Sequence, residues 1–163
     1  MSEEEIKKLG GVDFLDQAKL IDKRLKKLKG KSLSEKIVER LKSDRHSLAH
    51  ALLSSLPVNE IMTTNYDTMF EEACAYQQIK VLPYQEQNIQ SPFENFPNKW
   101  LLKMHGCINH PEDIVLTREH YLRYKNKNSA LQGVMQSLII TRKLLFLGFS
   151  LTDTNFHKAV DSY

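Results

Sequence analysis

Two short motifs in this 163-residue chain bring together an amide, a carboxylate and an imidazole: Thr-Thr-Asn-Tyr-Asp at 63–67 and Lys-Met-His-Gly at 103–106. Each motif closes a short apolar run and reads as a strand-to-loop junction, the place where ligands collect in α/β proteins. Asn65 can donate and accept at once, which suits the placing of a water molecule. The imidazole of His105 suits a general base. Gly106 permits a tight turn and a close backbone approach. A third polar turn, Gly148-Phe149-Ser150, follows the apolar run Leu144-Leu145-Phe146-Leu147. Its glycine would let a phosphate or ribose near the backbone, and its serine would bond it. The chemistry suggested is that of a polar ligand, a nucleotide before others.

Each of these residues also has a structural reading. Asn caps helices well, and Asp in a first turn complements the helix dipole. A histidine before glycine also serves as a buried turn residue. Asp153 is a good cap for a last helix. Taken one at a time, the structural readings have the better claim. His46 and His50 stand four apart on a helical stretch, but no third ligand accompanies them, so no metal is expected. Cys74 and Cys107 form no Cys-x-x-Cys pair and read as small buried thiols.

The elements that must position these groups follow from periodicity. Phe14, Leu15, Ala18, Ile21, Leu25 and Leu28 recur at helical spacing, and Gly30 ends that helix. Ser32 or Ser34 can cap a second helix, with Leu33, Ile37, Val38 and Leu41 on its face. A third helix would turn Leu48, Ala49, Leu52, Leu53 and Leu56 inward, and Pro57 closes it. From residue 58 the pattern alternates. Strands are expected at 61–64, 79–84, 100–104, 114–117 and 144–147. A helix after Asp67 would carry Met69, Phe70, Ala73 and Tyr76 on one side. Others run from a Thr117 cap through Tyr121 and Tyr124, from 129 to 142, and from Asp153. A polar loop spans 85–99. Strands separated by helices predict an α/β fold, a Rossmann-like three-layer sandwich with a mostly parallel sheet, helices on both faces and a helical N-terminal part.

Composition sets the class. The chain is 41% hydrophobic and 26% charged, as expected for a globular protein with one core. It has no apolar run of membrane-span length and no secretion-signal pattern, so a cytoplasmic protein without a membrane partner is expected. The net charge is +3, and much of the excess lies in Lys19, Lys23, Arg24, Lys26, Lys27, Lys29 and Lys31. No aromatic residues interleave with these lysines, so a solvated helix face is preferred over a nucleic-acid patch.

In order, Thr-Thr-Asn-Tyr-Asp, Lys-Met-His-Gly, Ile-Val-Leu-Thr with Tyr121, and Leu-Leu-Phe-Leu-Gly-Phe-Ser-Leu-Thr-Asp make the chain resemble the SIR2-like domain family over roughly residues 58–160. The nearest branch is the bacterial SIR2-like NAD+ hydrolases of anti-phage defence. The resemblance implies an NAD-binding domain that cleaves the nicotinamide–ribose bond. It implies His105 and Asn65 as catalytic residues, with Thr64, Asp67 and Gly106 binding the nucleotide, Asp67 near the nicotinamide. Gly148 and Ser150 would line the adenosine half. NAD+ is then the substrate, NAD+ or ADP-ribose the small-molecule partner, and no metal takes part. A homo-oligomer or a larger SIR2-containing assembly stays open.

The chain departs from the family pattern in two ways. It has no Gly-Ala-Gly-x-Ser loop, whose backbone N–H groups would cradle the pyrophosphate. It also lacks the zinc-ribbon cysteines of the deacetylases. The expectation is one SIR2-like domain over 1–163, helical over 1–57 and α/β over 58–163, truncated at both ends. Two other readings remain: a catalytically deficient module that binds NAD+ or ADP-ribose, and a basic-helix interaction protein with an α/β scaffold.

Overall fold

The computed structural model describes residues 10–77, 79–83, 99–153, 156, 157 and 160. Most of the expected polar loop and the end of the second expected strand, residues 84–98, lie outside the described residues. The chain divides into two compact units, one of residues 22–114 and one of residues 1–21 with 115–163.

The 22–114 unit is built on a three-stranded sheet. Strands β1 (Glu60–Thr63), β2 (Ile79–Leu82) and β3 (Lys99–Lys103) pair in the order β1-β3-β2, and both pairings are parallel. Parallel neighbours need crossover connections, and the one from β1 to β2 carries a helix (Met69–Ala73). The α/β, Rossmann-like class and the helical N-terminal part are therefore borne out. β3 is central and apolar because it is flanked on both sides: Leu101 and Leu102 have no exposed surface. The buried run continues past the strand through Met104, His105, Gly106, Cys107 and Ile108.

Helix α1 (Phe14–Lys29) begins where Asp13 Oδ1 accepts from Leu15 N at 3.0 Å. It ends at Gly30, whose φ of +62° suits the left-handed residue beyond a helix. Helix α2 (Leu33–Leu41) starts in a capping box. Ser32 Oγ accepts from Glu35 N, and Glu35 accepts in return from Ser32 N. The choice between Ser32 and Ser34 thus falls to Ser32. Hydrogen bonds from Lys31 and Lys36 hold the Glu39 carboxyl down to about 2. Helix α3 is Leu48–Ser54, and α4 is Met69–Ala73.

In the other unit, α5 (Arg118–Lys127) is capped by Thr117, whose side chain accepts from His120 N. Helix α6 (Ser129–Thr141) buries Met135 and Leu138. Arg118 grips Asp16 with two nitrogens at 3.0–3.2 Å and also meets Asp13 at 2.9 Å, which fastens the start of α1 to the start of α5. Tyr124 is buried, and desolvation pushes its phenol well above the usual range. Asp153 does cap: its Oδ1 accepts from Phe156 N at 2.9 Å.

Four expectations on the elements fail. Residues 114–117 form no strand. A single 3₁₀ turn (Pro111–Asp113) leads into them, and Ile114 N reaches back to Pro111 O. Residues 144–147 form no strand either, and Leu145 is 75% exposed. An apolar run becomes a strand only where a neighbour offers a ladder, and neither run has one among the described residues. On and just after α3, Leu48, Ala49, Leu52 and Leu56 are exposed rather than turned inward. Tyr76 is fully exposed because α4 ends at Ala73, so the helical period no longer applies to it.

The strand core gives the first prediction. Leu101→Ala removes a fully buried side chain from the central strand and lowers unfolding stability by about 2–5 kcal/mol. Tyr76→Ala, at an exposed position, changes it by less than about 0.5 kcal/mol. Urea titrations of the two variants against wild type check both.

Candidate functional site

The two motifs leave the sheet side by side. The last paired residues of β1 and β3 are Thr63 and Lys103, and Asn65 and His105 each follow two residues later. Two backbone bonds prolong the ladder beyond the strands: Met104 N donates to Thr63 O at 2.9 Å, and Ile108 N to Tyr66 O at 2.8 Å. The Thr64–Asn65 segment is therefore pinned before and after to the strand that carries His105.

Within the first motif, Asn65 N bonds Thr63 Oγ1 at 3.1 Å, and Asp67 Oδ1 accepts from Met69 N at 3.1 Å. Asp67 thus takes the helix-starting role that its type allows. Asn65 does not: the N-cap of α4 is Thr68. Asn65 is exposed, while Thr64 and Asp67 are half-buried. His105 is buried, with 4% of its surface exposed.

Gly106 is a site requirement. Its φ is +98°, and a Cβ there would lie 2.7 Å from Asp113 O and 2.8 Å from Ile114 Cα. Only glycine lets the backbone after His105 pass this close to the 3₁₀ turn. Beyond it, His110 N bonds Cys107 O at 2.9 Å and closes a small turn.

Sequence reasoning missed the residues that hold the two motifs together. Lys103 is 1% exposed, and its Nζ turns back beneath the first motif. It donates to the Asp67 carbonyl oxygen and to Glu71 Oε1, the latter at 2.8 Å. One signal was present: a lysine inside Trp-Leu-Leu-Lys-Met, at a position otherwise reserved for core residues. At the other end of β3, Lys99 Nζ donates to Ser54 O and to Gln77 Oε1, so both ends of the strand are tied by lysines. Burial pushes the Cys74 thiol up.

A cavity of about 730 Å³ opens in the same unit, and its lining includes Thr68, Glu71, Glu72, Cys107, Ile108 and His110. It lies along the turns that follow both motifs. Among the described residues no group of three or more His, Cys, Asp or Glu gathers to hold a metal. His50 serves α3 instead, with Nδ1 2.8 Å from Ser47 Oγ. No helix among the described residues is long and apolar enough to cross a membrane.

Thr64, Asn65, Asp67, His105 and Gly106 all belong to the 22–114 unit, and Gly148 and Ser150 belong to the other. Gly148 has the positive φ expected of a turn glycine, +61°, and Ser150 Oγ lies 2.7 Å from Thr152 Oγ1. Phe146, Phe149 and Phe156 pack around this turn with ring centroids 5.5–5.8 Å apart.

In α/β proteins ligands collect beyond the carboxyl ends of adjacent parallel strands, which is where this sheet carries its two polar motifs. The model of the SIR2-like domain matches residues 59–163, and the chain belongs to that family. It is 34% identical over 114 residues to the NAD(+) hydrolase ThsA of Enterococcus faecium, covering 67% of this chain and 23% of that protein. It is 30% identical over 107 residues to the NAD(+) hydrolase ThsA of Bacillus cereus (strain MSX-D12), covering 65% and 22%. A third relative, defense-associated sirtuin 2 of Bacillus subtilis, is 26% identical over 113 residues, covering 66% and 11%. The chain thus spans less than a quarter of the length of these relatives.

Substitution at Gly106 tests the close approach. Gly106→Ala combines a left-handed φ with a backbone clash, so it lowers stability by about 1–3 kcal/mol or more. Gly148→Ala has the same sign of φ but meets nothing within 4 Å, so its loss is smaller. Paired thermal melts give the order.

Proposed function

We propose that this SIR2-like domain is an NAD+ hydrolase that cleaves the nicotinamide–ribose bond to give ADP-ribose and nicotinamide, in anti-phage defence. The observation that carries the reading is the register of β1 and β3. It sets the Asn65 motif and the His105 motif at adjacent parallel strand ends, cross-tied by backbone bonds on both sides of Asn65. The names of the two NAD(+) hydrolases support the same chemistry, and that of the defense-associated sirtuin supports the defence role.

Nicotinamide leaves a cationic ring as a neutral molecule, so the reaction needs no strong acid. The bond between the ribose anomeric carbon and the ring nitrogen breaks, and its electron pair goes to nicotinamide. The transition state resembles an oxocarbenium ion, as in other glycosyl transfers. A water oxygen then bonds the anomeric carbon and loses its proton. In this reading Asn65 places the water, and His105 bonds a ribose hydroxyl and takes the proton. Thr64, Asp67 and Gly106 contact the nucleotide, with Asp67 near the nicotinamide. Placement of this kind substitutes a prepaid geometry for a random encounter.

Nicotinamide release from NAD+, followed by chromatography, tests the reading. His105→Ala and Asn65→Ala each lower the rate by about 10²-fold or more, with NAD+ still bound. Calorimetry with NAD+ and ADP-ribose accompanies the assay. Binding without turnover in the wild type would replace the hydrolase with a binding module. Absence of both would remove the nucleotide site altogether.

A further inference from the structure

We infer that the buried Lys103–Glu71 pair is a positioning device for the reaction proposed above, and the inference rests on that reading. Lys103 is the last residue of β3, two before His105, and its side chain is wholly shielded from solvent. Its Nζ donates to Glu71 Oε1 at 2.8 Å and to the carbonyl oxygen of Asp67, the residue that ends the first motif. A single cation therefore joins three parts: the strand that delivers His105, the loop that carries Asn65, and the helix that begins after Asp67.

The bond to a main-chain oxygen sets this pair apart from an ordinary ion pair. Glu71 alone would satisfy the charge. The second bond fixes the backbone at Asp67 and, with Ile108 N on Tyr66 O, closes the loop from its far end. Asn65 lies between this clamp and the bond from Met104 N to Thr63 O. Its side chain is exposed, so packing does little to hold it, and its placement depends on the backbone bonds at either side.

A buried ion pair is not the most stable filling for such a space; apolar residues of similar volume often match or exceed it. That gives a way to separate positioning from stability. Lys103→Met with Glu71→Met removes both charges together and keeps the volume. Removing one partner alone would leave a buried charge without its counterion. The double substitution leaves the melting temperature near or above that of wild type. It lowers kcat by about 10²-fold, the scale of a 1 Å misplacement, and changes KM by less than about threefold.

Hydrogen exchange supplies the readout that a merely structural role would not move. In the double variant, amides of residues 64–69 exchange at least about tenfold faster, while those of β1 and β3 are unchanged. Glu71→Asp keeps the counter-charge on a shorter side chain and falls between wild type and the double variant in both kcat and exchange. If the double variant does not fold, the exchange comparison of Glu71→Asp with wild type decides. Unchanged protection at 64–69, or a kcat within about threefold of wild type in a folded double variant, overturns the inference. If wild type releases no nicotinamide, the hydrolase reading fails, and the exchange data still decide whether the pair positions the loop.

Discussion

A lysine amine turned inward at the end of the central strand is the contact on which the site geometry depends. Taking an ammonium out of water is unfavourable by several kcal/mol unless hydrogen-bond acceptors and a counter-charge are near. Lys103 meets that demand with the Asp67 carbonyl and Glu71. The constraint works in both directions. The strand cannot end elsewhere without exposing the cation to an apolar interior, and the loop cannot move away without stranding it. The Asn65 and His105 motifs therefore have a fixed mutual register, although 36 residues separate Asp67 from Lys103.

The same strand carries a second constraint of a different kind. Gly106 brings the backbone to within contact of Asp113 and Ile114, closer than any side chain would permit. This presses the His105 turn against the 3₁₀ segment. A buried charge fixes where the strand ends, and a missing side chain fixes how it leaves. Lys99 does at the first residue of β3 what Lys103 does at the last, bonding Ser54 O and Gln77 Oε1. β3 is thus a strand whose length and exit are both set by polar contacts, with an apolar middle that packs on two neighbours.

Much of this was legible in the residues themselves. The Gly30 stop, the Ser32 and Thr117 caps and the three short strands follow from local rules, because each depends on a few adjacent residues. Order and spacing also gave the family before any coordinate, and the match to residues 59–163 agrees with the resemblance over 58–160. What sequence could not supply was partnership across distance. Lys103 looked like one more strand residue, since nothing local says that its amine meets Asp67 O. Leu48 and Leu52 repeat at helical spacing, but the spacing marks a face without saying what faces it.

The segment at 144–150 makes the same point from the other side. Its apolar run has the composition of a buried parallel strand, yet its backbone joins no ladder among the described residues, and Leu145 and Leu147 are more than half exposed. What orders it locally is aromatic packing: Phe146 stacks on Phe149, and Phe156 meets both edge-on. Leu151 takes a φ of +57°, unfavourable for a branched side chain, and His157 Nε2 lies 2.6 Å from its carbonyl oxygen. The turn holding Gly148 and Ser150 is therefore shaped by rings and a cap, whereas the turns holding Asn65 and His105 are shaped by a sheet. Contacts of the first kind are few and local, and those of the second are shared across strands. A turn tied into a sheet resists displacement more than one fastened by its own neighbours.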